Sequence, residues 1–105
     1  MKMYSLQADL CKALAHPVRL QVLDLLSERE YSVEELTKLT GSGQSNLSQH
    51  LAALRQQKLV VPRRAGMYVY YALSNPRIAD ACKLIRKIMV ELSEEEHRVV
   101  KKVEV

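Results

Sequence analysis

A chain of 105 residues is one domain's worth of polypeptide, long enough to bury a modest core. Sixteen Lys and Arg against 12 Asp and Glu leave a net charge of +4 and a pI near 9.2, a balance that favours a polyanionic partner. No run of about 18 apolar residues is present, which excludes a membrane-spanning helix, and the N-terminus lacks a signal-peptide core, so the expected location is the cytoplasm.

The first predicted element is a short helix capped by Ser5, with Leu6, Leu10, Ala13 and Leu14 as its apolar stripe. His16-Pro17 ends it, because the residue before a proline is pushed out of the α region and Pro17 suits the first turn of a new helix. That second helix, Val18 to Leu26, carries Leu20, Val22, Leu23, Leu25 and Leu26 on nearly every side, the pattern of an element that others pack upon. Ser32-Val33-Glu34-Glu35 reads as a capping box opening a third helix, with Val33, Leu36 and Leu39 directed inward. Thr40-Gly41-Ser42-Gly43 breaks it.

Residues 43–55 follow, and they carry the functional signal. Leu47, Leu51 and Leu54 are spaced by four and three, so they share one helix face. Ser45, Ser48, Gln49 and Ala52 collect on the opposite face, which holds hydroxyls, amides and a methyl but no carboxylate. A solvated face is normally dressed in Lys and Glu. This one suits close approach to base edges in a DNA major groove, where Asn or Gln bonds adenine bidentately. Two short helices joined by a glycine turn, the second with a polar outer face, make a helix-turn-helix. Ser45, Ser48 and Gln49 are expected to face bases, with Gln44 and Asn46 flanking them. His50 lies off the outer face, toward a phosphate or the neighbouring helix.

After Arg55-Gln56-Gln57-Lys58 the period changes from helical to alternating. Leu59-Val60-Val61 and Tyr68-Val69-Tyr70-Tyr71 are β-prone runs with Ala65-Gly66 between them as a hairpin turn, and Pro62 fits an edge position. Arg63 and Arg64 lie next to the tip, where they join Arg55 and Lys58 as candidates for phosphate contacts. Asn75-Pro76 then starts the last helix, in which Ile78, Cys82, Ile85, Met89 and Leu92 share one face beside Ala81 and Ile88. The winged-helix core is complete before this stripe, so a second copy of the chain is its economical partner, with the first helix helping to build a two-fold interface. The expected fold is mainly α with a small β-hairpin wing: a dimeric winged helix-turn-helix of about five helices. Its DNA-binding and dimerisation domain spans residues 1–92, and a charged, frayed tail spans 93–105.

Three segments resemble the ArsR/SmtB family of bacterial and archaeal transcription repressors. Leu14-Ala15-His16-Pro17-Val18-Arg19-Leu20-Gln21-Val22-Leu23 is similar to the family's "A-x-P-x-R-L-x-I-L" opening. Gln44-Ser45-Asn46-Leu47-Ser48-Gln49-His50-Leu51-Ala52-Ala53-Leu54 resembles its "Q-S-x-x-S-x-H-L-x-x-L" recognition helix. Gly66-Met67-Tyr68-Val69-Tyr70-Tyr71-Ala72-Leu73 resembles the end of its wing. The resemblance implies a homodimer on double-stranded DNA that binds an inverted repeat, represses, and releases DNA when an effector arrives. Two departures stand out: Ser42-Gly43 replaces the hydrophobic residue and Ser that often precede the Gln-Ser pair, and Met67 replaces the Arg that many members place after the wing glycine.

The family's effector positions differ here as well. Ser32 and Glu34 stand where metal-sensing members place two cysteines, and Asn75, Arg77, Ile88 and Glu91 stand where others hold a metal across the paired last helices. Asp24 and Val90 occupy the positions of the dithiol sensors. No metal site or cofactor is therefore expected, and the effector is unidentified. Cys11 and Cys82, too few for a disulfide framework, are candidates for a redox switch at the dimer interface, against the plainer role of small buried hydrophobes. His97 beside Glu94-Glu95-Glu96 is expected to be a solvated tail residue, and His16 a structural one. No Gly-rich phosphate loop, His/Cys metal cluster or nucleophile motif points to an enzyme. The alternatives are a winged helix used for protein–protein interaction and a repressor with no small-molecule effector.

Overall fold

The computed structural model describes the backbone of residues 2–104 and the side chains of residues 2–96. Five helices and three strands follow in the order α1 (Lys2–Leu14), α2 (Pro17–Leu26), β1 (Tyr31–Ser32), α3 (Val33–Thr40), α4 (Gln44–Gln56), β2 (Val60–Ala65), β3 (Tyr68–Leu73) and α5 (Arg77–Glu104). The helix-turn-helix and its wing are therefore where the periodicity puts them.

Local chemistry accounts for most boundaries. His16 is extended at φ −153° and ψ 132°, and its Nδ1 accepts the Val18 amide at 3.1 Å, so it caps α2 just ahead of the first-turn Pro17. Ser32 and Glu35 form the expected capping box: the Glu35 amide donates to Ser32 Oγ at 3.1 Å and the Ser32 amide to Glu35 Oε1 at 3.0 Å. Gly41, at φ +70°, ends α3 in the left-handed region that a residue with a Cβ adopts only with strain. Ser5, by contrast, caps nothing. It sits inside α1, because Lys2, Met3 and Tyr4 contain no breaker and the helix runs through them.

The core is built on α2. Val22, Leu23 and Leu26 meet Leu36 of α3, Leu47, Leu51 and Leu54 of α4, and Leu59 and Val60 at the start of the wing. Leu39 is a correction: although only about 60° round the helix from Leu36, it lies in the last turn of α3, and half of its surface is exposed. The sheet has one more strand than the alternation shows, in the order β1-β3-β2, because β1 is only two residues long and offers no period to detect. The wing turn is also displaced by one residue. Ala65 pairs with Tyr68, so the loop is Gly66-Met67, with φ +62° at Gly66 and no positive φ at Met67, as a type II′ hairpin turn requires.

Two further features shape the molecule. Lys58 has φ +61°, and its amide donates to the Arg55 carbonyl at 2.9 Å while the Leu59 amide donates to Leu54 at 3.0 Å. This is a Schellman ending, with buried Leu54 and Leu59 as its apolar pair, and it turns the chain from α4 into the wing. Second, α5 continues through residue 92 to Glu104 without interruption, since no Gly or Pro occurs after Pro76. Leu84, Ile85, Met89 and Leu92 of α5, and Met3, Tyr4 and Leu6 of α1, are all more than half exposed within the single chain.

Candidate nucleic-acid interface

The outer face of α4 is open along its whole length. Gln44, Ser45, Asn46, Ser48, Gln49, Ala52 and Arg55 are all exposed, while Leu47, Leu51 and Leu54 are buried beneath them. Among the described residues, none of these exposed polar side chains makes a hydrogen bond or ion pair within the chain. Gly43 caps the helix without a side-chain acceptor, and the first turn holds no acid. The first amides of α4 are thus left with their donors and the positive end of the helix dipole facing outward, a suitable seat for a phosphate.

His50 is different. Its ring packs against that of His16, with centroids 4.2 Å apart, and its Nδ1 accepts Arg19 Nε–H at 3.0 Å. Arg19 also donates Nη1–H to the Ala13 carbonyl at 3.3 Å. Of the two environments expected for His50, a phosphate or the neighbouring helix, the structure places it on the helix. Burial, followed by the nearby His16 and Arg19, holds its pKa below the ordinary 6.5.

The two wing arginines part company. Residues of β2 alternate between faces, so Val60, Pro62 and Arg64 share the side that packs toward the helices, and Val61, Arg63 and Ala65 the other. Arg63 reaches across β3, its guanidinium 5.0 Å from the centre of the Tyr70 ring, to a bidentate contact with Glu30 at 2.8 and 3.1 Å. That pairing holds the Glu30 carboxyl below the usual carboxylate range. Arg64 is exposed and, among the described residues, makes no ion pair. A similar clamp beside the wing joins Arg29, stacked over Tyr31 at 3.7 Å, to Glu35, whose pKa falls to about 2 under that guanidinium and the Ser32 amide.

The cysteines are both free thiols, Cys11 exposed and Cys82 half-buried. Cys82 opens on a groove of about 270 Å³ between α5 and the α1–α2 pair, lined by Leu14, Leu20, Ile85, Arg86 and Met89. Burial pushes its thiol up, with Arg86 opposing, which makes it a poorer thiolate than an ordinary cysteine. Among the described residues no group of three or more His, Cys, Asp or Glu is arranged to hold a metal ion. The expectation for His97 falls outside the described side chains. Sequence reasoning missed Arg19 as the partner of His50 and Glu30 as the partner of Arg63. The proline-to-leucine motif marks Arg19 as part of a pattern but not its contact, and nothing marks Glu30.

Residues 16–61 match the family described as bacterial regulatory protein, arsR family. The uncharacterized HTH-type transcriptional regulator Rv0081 of Mycobacterium tuberculosis is 41% identical over 91 residues, which are 86% of this chain and 80% of that protein. Its crystal structure superposes with a TM-score of 0.85 at 38% identity, covering 91% of this chain and 97% of the other. The biofilm growth-associated repressor of Xylella fastidiosa is 43% identical over 73 residues, 70% of this chain and 64% of its own. The solution structure of the homodimeric winged helix-turn-helix DNA-binding domain Mb0332 from Mycobacterium bovis, a possible ArsR-family transcriptional regulator, has a TM-score of 0.81 at 34% identity. It covers 90% of this chain and 87% of that domain.

Proposed function

The chain belongs to the ArsR family of bacterial regulatory proteins, and we propose that it acts as a homodimeric, sequence-specific DNA-binding repressor. The observation that carries this reading is the outer face of α4: exposed, free of carboxylates, and without partners among the described residues. Ser45, Ser48 and Gln49 face base edges, Gln44 and Asn46 flank them, and Ala52 lets the helix sit close. Arg55 and Arg64 neutralise phosphates, and Arg63 does so when released from Glu30.

The exposed apolar residues of α1 and α5 join two copies, as the homodimeric Mycobacterium bovis domain supports. Two-fold symmetry then sets the recognition helices in half-sites about one helical turn, or 34–36 Å, apart on an inverted repeat. Such a regulator works in the cytoplasm, where the chromosome is, and among the described residues no helix is long and apolar enough to cross a membrane. Release is governed by an effector, for which the interface thiols Cys11 and Cys82 are the chain's own candidates.

The test is binding to duplexes selected from a randomised pool, set against random-sequence duplex over a range of salt concentrations. A preference for the selected inverted repeat, lost in a monomeric variant, is expected. Equal binding to both duplexes at every salt concentration overturns sequence-specific recognition, and binding to neither favours a protein-binding winged helix. Repeating the titration under reduced, oxidised and metal-loaded conditions with Cys11→Ser and Cys82→Ser decides whether either thiol takes part in release.

A further inference from the structure

The contact between Arg19 and His50 has a singular place in the fold. Among the described residues it is the one hydrogen bond made by an α4 side chain to another element. α4 is otherwise seated by the packing of Leu47, Leu51 and Leu54 and of the His50 ring on His16, which is strong but non-directional. A hydrogen bond is directional. The same guanidinium donates to the Ala13 carbonyl at the end of α1, so one side chain of α2 ties α1 to the recognition helix.

We propose that Arg19 is a positioning residue for operator binding, acting through the Nδ1 acceptor of His50, so that protonating His50 unseats α4 and weakens binding. The proposal rests on the DNA-binding reading above and adds a pH response to it. An accepting Nδ1 places the proton of the neutral ring on Nε2. Protonation puts a second N–H on Nδ1, directed at Arg19 Nε–H across 3.0 Å, so that two donors and two cations face one another. The charged and titratable groups recorded against His50 are Arg19 from α2 and His16 from the α1–α2 junction, and both disfavour that cation. Burial acts in the same direction, and together they hold the pKa of the ring below its ordinary 6.5.

The direction of the effect discriminates. A histidine that touched a DNA phosphate directly would bind more tightly when protonated, as would any protein gaining positive charge. Positioning through an acceptor predicts the reverse.

The experiment measures affinity for the selected inverted-repeat duplex from about pH 7.5 to about pH 5.5 at fixed ionic strength, with circular dichroism followed on the same samples. The wild-type protein is expected to lose a few-fold in affinity across the range while its helix content is unchanged, since a single proton taken up below the ordinary 6.5 weakens binding by less than about tenfold at pH 5.5. His50→Asn supplies a non-titrating Oδ1 near the place of Nδ1. It is expected to bind within about threefold of wild type at the neutral end and to show no acid loss. Arg19→Gln is expected to bind weakly throughout, with a flat profile, and His97→Gln to keep the wild-type profile. A wild-type affinity that holds steady or rises on acidification overturns the proposal. So does an acid loss that persists in His50→Asn, or unfolding at the acid end. No preference for the selected duplex even at the neutral end removes the DNA-binding reading itself and this inference with it.

Discussion

Along α4 the exposed polar side chains are left without partners among the described residues, whereas on the wing the first of two adjacent arginines already holds a carboxylate. Both regions are exposed, and in sequence both offer the chemistry that nucleic acid needs. They differ in what binding must first undo. A face with no internal partners exchanges only water for base edges, while Arg63 must give up a bidentate pair before it can meet a phosphate. Exposure is therefore a poor guide to availability. Arg64, one residue along and on the other side of the strand, is the cation the wing can present at once.

The comparison is sharpest at Gln49. Gln49→Ala is expected to cost about 1–3 kcal/mol against the selected duplex and to leave random-sequence binding unchanged, since it removes base readout alone. A selection repeated with the variant should relax at one base pair in each half-site. If specific and random binding fall together, the outer face of α4 does not read bases.

Next in size are the arginines. Arg64→Ala is expected to weaken all sequences alike and to reduce the slope of log affinity against log salt by about one. Arg63→Ala should move that slope by less, because its cation is already neutralised by Glu30. Equal slopes for the two variants would break the distinction between them.

Glu30→Gln tests the same clamp from its acidic side. Freed of its counter-ion, Arg63 should tighten binding to every sequence by a few-fold and steepen the salt dependence. Loss of affinity in this variant would mean that the pair serves to hold the wing in place.

The smallest effect expected is at Lys58→Gly. Relief of a left-handed backbone at φ +61° should stabilise the fold by about 0.5–1 kcal/mol in urea melts. Binding should weaken slightly if the ammonium meets a phosphate, so stability and affinity would move in opposite directions.

What could be read ahead of the structure was local. The capping box at Ser32 and Glu35, the helix junction at His16-Pro17 and the division of α4 into a leucine face and an amide face all depend on residues within one or two turns of each other. For the same reason the boundary drawn at residue 92 does not appear as a break in the helix: no residue there opposes its continuation. Ser5 has the chemistry of a cap but not its position, because capping residues cap only where a helix begins.

The tertiary fold decided which of the legible groups remain free. His50 meets Arg19 across 31 residues of sequence and Arg63 meets Glu30 across 33, and no periodicity or motif encodes a pairing at that distance. Strand β1 exists because β3 is there to pair with it. Helix type, faces and caps follow from short-range sterics and hydrogen bonding, which residue order alone dictates. The partner of a charged side chain is whatever the completed fold brings within reach.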